Sequence, residues 1–236
     1  MSRLTGVLSD PLLSVVMPVF NERETIDEIV RRVLAVPVRK ELIVVDDCST
    51  DGTRDRLAAL QQRLGFRLIL QERNRGKGAA LRRGFSEVAG DVVIIQDADL
   101  EYSPEEYPDL ISLICEGRAD VVFGSRFLGR HRVFLFTHYL GNRLLTLLTN
   151  VLYNTMLTDM ETCYKVMRTE VLRSFALRSN GFGIEPELTA KIFKRGFRVY
   201  EVPITYDGRG YDEGKKITWR DGVVALWVLL RYRFSE

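Results

Sequence analysis

The chain has 236 residues, 46% hydrophobic and 28% charged, with a formal net charge of +2. That length suits one sizeable α/β domain, or at most two small ones, and no low-complexity tract or internal repeat interrupts it. So balanced a charge gives no ground for nucleic-acid binding, and three scattered cysteines, Cys48, Cys115 and Cys163, suggest neither a disulfide framework nor a zinc site.

A reducing cytoplasm is therefore the expected setting. The N-terminal stretch lacks the sustained apolar segment of a secretion signal. No apolar run reaches the roughly 18–20 residues that span a bilayer; the nearest, GVVALWVLL from Gly222 to Leu230, stops at Arg231.

In chain order, apolar runs of strand length alternate with helical patterns, the signature of βα units and a largely parallel sheet. LLSVVMPVF (Leu12 to Phe20) reads as the first strand, and TIDEIVRRVLA follows as a helix with Ile26, Ile29, Val30 and Val33 on one face. ELIVV is the second strand, with a helix from Asp51 to Leu64. RLIL is the third, with a helix from about Gly78 to Val88. DVVIIQ is the fourth, with a helix from Pro104 to Cys115, and ADVVFG the fifth. After Arg126 the alternation breaks: Phe134 to Leu157 reads as an apolar helix. TCYKVM and FRVYEVPI read as two later strands around a helix from Ile184 to Lys194. A Gly-rich charged loop, YDGRGYDEGKK, leads to a last helix from Thr218 to Tyr232. With no linker visible, the expectation is one domain with appended elements.

Ligands of open α/β sheets bind beyond the carboxyl ends of the strands, and three strands here end in polar sequence. The first gives Asn21 and Glu22, the second DDCSTDGT with Asp46 and Asp47, the fourth DADLE. Asp51 suits a helix cap, but capping does not explain four further aspartates at one edge. In an extended chain Asp97, Asp99 and Glu101 share a side. Carboxylates that close repel unless a cation lies among them, and oxygen ligands suit Mg²⁺ or Mn²⁺, which bridges to substrate phosphates. No G-x-G-x-x-G follows the first strand, and NRGKGAAL lacks the rest of a P-loop, which leaves Lys77 as a solvated or ligand-edge residue.

Five segments in order, SVVMPVFNE, IVVDDCSTDGT, RNRGKGAALRRGF, QDADLEYSPEE and VVFGSRF, resemble glycosyltransferase family 2 with a GT-A fold. EVPITYDGRGYDEGKKI is similar to its polyprenyl-phosphate sugar transferases, typified by the dolichyl-phosphate mannosyltransferases. The resemblance spans about Leu12 to Asp221. It implies a single GT-A domain with a mostly parallel sheet and peripheral amphipathic helices. Residues 12–126 would be the nucleotide-binding half and 127–236 the acceptor half with the C-terminal helix. Pro18, Phe20, Glu22, Val45 and Asp47 would line the nucleotide. Asp97, Ala98 and Asp99 would form the metal and diphosphate motif, with Glu101 as a third metal ligand. Arg126, Arg209 and Lys215 would reach the phosphates, and Asp99, Arg126, Arg209 and Lys215 would be the catalytic set. Phe20 stands where the family often has Tyr, and Glu101 where Gln or Ser is common.

The implied reaction is inverting transfer of a hexose from a nucleoside-diphosphate sugar, GDP-mannose or UDP-glucose, with Mg²⁺ or Mn²⁺ and cationic side chains offsetting charge on the leaving diphosphate. Hydroxyl acceptors need a general base, whereas a phosphate monoester is substantially dianionic at neutral pH. Polyprenyl phosphate is thus the expected acceptor, with a saccharide or small hydroxyl metabolite as the alternative. Glu185 and Glu187 in GIEPEL are acceptor-side candidates or simply helix-start acids favoured by the dipole. From Val121 to Thr158 there is no Asp or Glu, while Arg126, Arg130, Arg132, Arg143, His131 and His138 interleave with Phe134, Phe136 and Tyr139. That pattern suits the anionic cytoplasmic face of a membrane. An oligomer interface or a core helix is the other reading, and it applies equally to Trp219, Trp227 and Leu230. Gly208, Gly210 and Gly214, flanking Arg209 and Lys215, make YDGRGYDEGKK an expected lid over the diphosphate.

Overall fold

Strands buried on both faces read as unbroken apolar runs, and the runs in this chain assemble into one sheet. The structure, a computed structural model, describes residues 6–132, 135–208 and 219–235. Its strands are β1 (Leu13–Val19), β2 (Lys40–Asp46), β3 (Arg67–Leu70), β4 (Val92–Ile95), β5 (Val121–Ser125), β6 (Lys165–Arg168) and β7 (Val199–Pro203), in the order β3-β2-β1-β4-β6-β5-β7. All neighbours pair parallel except β6, which runs antiparallel between β4 and β5. The sheet is therefore continuous across residue 126, with β6 and β7 completing what β1 to β5 begin.

Around it lie α1 (Ile26–Ala35), α2 (Thr53–Leu64), α3 (Lys77–Phe85), α4 (Tyr107–Cys115), α5 (Phe136–Tyr153), α6 (Thr169–Arg173), α7 (Ile184–Lys194) and α8 (Trp219–Phe234). The apolar face expected of α1 is buried through Ile26, Ile29, Val30 and Val33. The bounds of β3 and α7 match the sequence pattern. Other elements differ for local reasons. The helix expected from Pro104 starts as a 3₁₀ turn, Pro104–Glu106, before α4. β4 runs Val92–Ile95, and at Gln96 the amide still donates to Val16 O at 3.0 Å while the side chain accepts the hydroxyls of Tyr107 at 2.6 Å and Tyr164 at 2.7 Å. α5 ends at Tyr153, where Asn154 turns left-handed at φ 51°. The short helix α6 follows β6 directly and has no strong sequence signal.

From β1 the chain moves to β2 and β3 on one side, then crosses to β4 on the other. The switch point falls between the C-terminal ends of β1 and β4, where a crevice opens in this class of sheet. α3 lies close over β1: a Cβ on Gly84 would meet Val16 Cγ1 at 2.4 Å and Val45 Cγ2 at 3.3 Å. Both valines are fully buried, so neither can give way. Gly84→Val is expected to destabilise the fold by about 1–3 kcal/mol through overpacking. Urea unfolding would show this as a lower midpoint at an unchanged slope.

Candidate active site

The first two strands deliver their acids to the switch point and then use most of them for framework. Asp46 is fully buried and pairs with Arg54, while accepting the Ser49 amide. Asp47 accepts the amides of Arg75 at 2.8 Å and Gly76 at 2.7 Å and the Gln71 side chain at 3.1 Å, so it clamps the entry to α3. After β1, Asn21 sits at φ 52° and accepts the Thr50 amide at 2.8 Å, joining the two strand-end loops. Asp51 lies one residue before the Gly52 cap of α2 and accepts the Thr53 amide at 3.0 Å. Thr25 closes the crevice floor by donating to Ala98 O at 2.7 Å and to Glu22 at 3.1 Å.

The DADLE segment does not stay extended. Leu100 adopts φ 64°, and the chain bends from Ala98 through Glu101. Asp97, just before the bend, points to Lys77, with Nζ 2.8 Å from Oδ1 and 3.0 Å from Oδ2. Asp99 Oδ1 accepts the Glu101 amide at 3.2 Å, closing the turn. Glu101 turns toward Tyr206, whose hydroxyl donates to Oε2 at 2.6 Å. The expectation that the three carboxylates share one side is corrected by this bend. Among the described residues no three His, Cys, Asp or Glu side chains gather as a metal cage. Glu101 as a third metal ligand is what the resemblance implies; in this arrangement its Oε2 accepts the Tyr206 hydroxyl.

A second charged group lies beneath Asp97. Lys77 is also 3.2 Å from Glu185 Oε1, and Glu185 Oε2 pairs at 2.8 Å with Lys165, which is fully buried and donates to Met160 O at 2.9 Å. Lys77 is thus held inside an ion-pair chain, and the solvated role expected for it is corrected. Glu187 is spent elsewhere, on the Arg178 and Ser179 amides and on Lys191. Glu161 faces Lys165, Glu185 and Arg126; its Oε1 is buried without a hydrogen-bond partner, and burial pushes its carboxyl up to about 7.

Arg126, at the end of β5, is gripped by Asp159 through Nε at 2.7 Å and Nη2 at 2.8 Å, and lies over the Tyr206 ring at 5.2 Å. Burial works against its charge, but Asp159 outweighs that and holds it well above the usual arginine range. Burial, reinforced by Glu101, likewise keeps the Tyr206 phenol protonated. Glu201 receives the amides of Thr158 and Asp159, fixing the loop that presents Asp159.

Residues 14–175 match the family model described as glycosyl transferase family 2. The chain belongs to that family. It is 31% identical over 209 residues to the dolichol-phosphate mannosyltransferase of Pyrococcus furiosus, an alignment covering 86% of this chain and 58% of that protein. The chain thus spans less than two thirds of that relative. Solved structures of Mycobacterium tuberculosis glucosyl-3-phosphoglycerate synthase share its fold at low identity. The complex with Mn²⁺, UDP and phosphoglyceric acid has a TM-score of 0.76 at 24% identity, covering 96% of this chain and 80% of that one. The complex with Mg²⁺ and UDP has a TM-score of 0.74 at the same identity and coverage.

The single α/β domain is the GT-A architecture expected of a family 2 member. Within it Pro18, Phe20, Glu22, Asp47, Asp97, Ala98 and Asp99 all stand at the C-terminal edge of β1, β2 and β4. Val45 does not face that edge with its side chain, which is buried against Gly84 of α3. Arg209 and Lys215, with the lid expected around them, lie outside the described residues. Sequence reasoning named Lys77 only as a solvated or ligand-edge residue and missed Lys165, Asp159, Glu161 and Tyr206, because their partners are distant in the chain. Removing one member of a buried pair strands the other charge. Asp159→Ala is expected to cost about 3–5 kcal/mol in unfolding free energy, and the double variant Asp159→Leu with Arg126→Met to recover much of it, as read by urea titration.

Proposed function

We propose that this chain is an inverting hexosyltransferase that moves a hexose from a nucleoside-diphosphate sugar, GDP-mannose or UDP-glucose, to polyprenyl phosphate at the cytoplasmic face of a membrane. The observation that carries the acceptor is the second, exposed apolar face of α5, opposite the Leu145, Leu148 and Leu152 that pack on the core. That helix buries Thr146 and Thr149 and exposes Phe136, Leu140, Leu144, Leu147 and Val151. Among the described residues no helix is long and apolar enough to cross a membrane, so this face suits lying on one. Arg143 ties α5 to the site: it lies over the Phe127 ring at 6.0 Å and reaches Thr158 O, next to the Asp159 that grips Arg126. The name of the Pyrococcus relative supports the same acceptor.

The donor set also fits a metal. A hard divalent ion needs only one or two carboxylates besides substrate phosphates, which Asp99, with Asp97, can supply. Held there, Mg²⁺ or Mn²⁺ would offset the charge of the leaving diphosphate. The chain's own residues do the rest. Pro18, Phe20, Glu22 and Asp47 border the nucleotide, and Arg126, preset by Asp159, meets a phosphate without reorganising. Arg209 and Lys215 belong to this set as donor-phosphate contacts. Because Glu185 is engaged by two lysines and Glu187 by loop amides, neither is placed as a base, which a phosphate nucleophile does not need.

A hydroxyl acceptor is the second reading. It is favoured by the phosphoglyceric acid of the structural neighbours and by Glu161, whose raised carboxyl would suit a base near neutral pH. The test is transfer from radiolabelled donor with undecaprenyl phosphate present. Label is expected to partition into organic solvent; label confined to water would overturn the lipid acceptor. Asp99→Ala or excess EDTA is expected to lower turnover by at least about a hundredfold, on the scale of losing one electrostatic contact to the transition state.

Membrane docking has its own readout. Arg130→Glu with Arg132→Glu is expected to weaken sedimentation with anionic liposomes, and high salt to do the same by screening. Unchanged sedimentation would assign binding to the apolar faces of α5 and α8. Its absence, together with concentration-dependent dimers, would assign those faces to a second copy.

A further inference from the structure

Asp97 raises a difficulty for any metal reading, because both of its oxygens already accept from one ammonium. Lys77 Nζ lies 2.8 Å and 3.0 Å from them, on a side chain only 14% exposed. A divalent ion seeking the same lone pairs would meet that ammonium at near-contact distance. The structure also holds a second seat for the lysine. Glu185 Oε1 is buried and accepts no hydrogen bond, and it is 3.2 Å from the same Nζ. Glu185 itself cannot follow the lysine outward, because Lys165 fixes its other oxygen at 2.8 Å from inside the protein.

We propose that Lys77 is a positioning residue that serves as the resident counter-cation of Asp97, and that it shifts onto Glu185 Oε1 when a divalent ion with a nucleoside diphosphate enters the crevice. This inference rests on the metal-dependent reading above. The shift needs no change in charge state. It also needs little movement, since the ammonium already touches both carboxylates. Its effect is selective. Metal alone must compete with the lysine for Asp97, whereas metal with diphosphate brings further oxygen ligands and completes its shell. The empty crevice therefore stays neutralised, and Asp97 turns to the metal only when donor arrives.

The experiment measures Mn²⁺ binding by calorimetry, with and without GDP or UDP. If the lysine occupies Asp97 about nine-tenths of the time, metal affinity is reduced about tenfold. Lys77→Met is then expected to tighten binding of Mn²⁺ alone by about that factor, and to enlarge the rise in melting temperature that Mn²⁺ produces. Lys77→Arg, whose fork grips a carboxylate at two points, is expected to weaken Mn²⁺ binding. Glu185→Gln is expected to weaken it too, by removing the second seat. If Lys77→Met does not fold, the arginine variant still decides: Mn²⁺ affinity equal to or above wild type overturns the proposal. Equal affinity of wild type and Lys77→Met overturns it as well, while leaving the metal reading intact. Failure of every protein to bind Mn²⁺, even with nucleotide, overturns both.

Discussion

Lys165 is a fully buried ammonium inside a sheet, and such a charge survives only where its partners are fixed. Its partners are Glu185 on α7 and the carbonyls that precede β6. Glu185 in turn touches Lys77 at the start of α3, which touches Asp97 beyond β4. Acid and base alternate along this line, so each charge is flanked by opposite ones. Four segments of the chain, β6, α7, the start of α3 and the end of β4, are thereby tied together beneath the crevice. Lys165 and Glu185 hold the inner end of this line, and Lys77 links that end to Asp97.

The wall of the crevice is built differently. Arg126 meets Asp159 in a fork geometry that fixes orientation as well as charge. Tyr206 meets Tyr102 edge to face, lies under Arg126 and donates to Glu101. The chain around Tyr206 is further held by backbone bonds to Arg130, Arg132 and Glu101. Gly129 permits this close approach, since a Cβ there would collide with Ile204 O at 1.9 Å. Preset donors of this kind suit a reaction in which negative charge accumulates on phosphate oxygens.

The sheet was legible because its central strands are buried on both faces and written as short apolar runs, such as VVII and LSVVMPV. The clustering of acids was legible because a parallel sheet brings the carboxyl ends of its strands to one edge. Their individual duties were not. Asp46 and Asp47 look alike in DDCSTDGT, yet one pairs with Arg54 and the other clamps the amides of Arg75 and Gly76. The alternation argument failed at Leu100, where a left-handed bend occurs at a leucine and no glycine marks it. Ion pairs such as Arg126–Asp159 and Lys77–Asp97 cross between elements, so no local pattern of residues announces them.

α5 shows the same limit from the opposite side. Its sequence is largely apolar, interrupted by Thr and Asn, and apolarity alone does not say which face is inside. The structure buries the threonines because their hydroxyls are used: Thr146 accepts the Met160 amide and Thr149 bonds back to Leu145 O. The inner face thus holds the loop that carries Asp159, and through Asp159 it positions Arg126. The outer leucines are left with no such duty. Apolar area kept in water forgoes about 25 cal/mol per Å² of transfer energy, so this face gains from meeting any apolar phase. On the proposed reading, one helix therefore seats the phosphate-facing arginine with its inner side and rests on lipid with its outer side. Docking and acceptor recognition would then be coupled through a single rigid element.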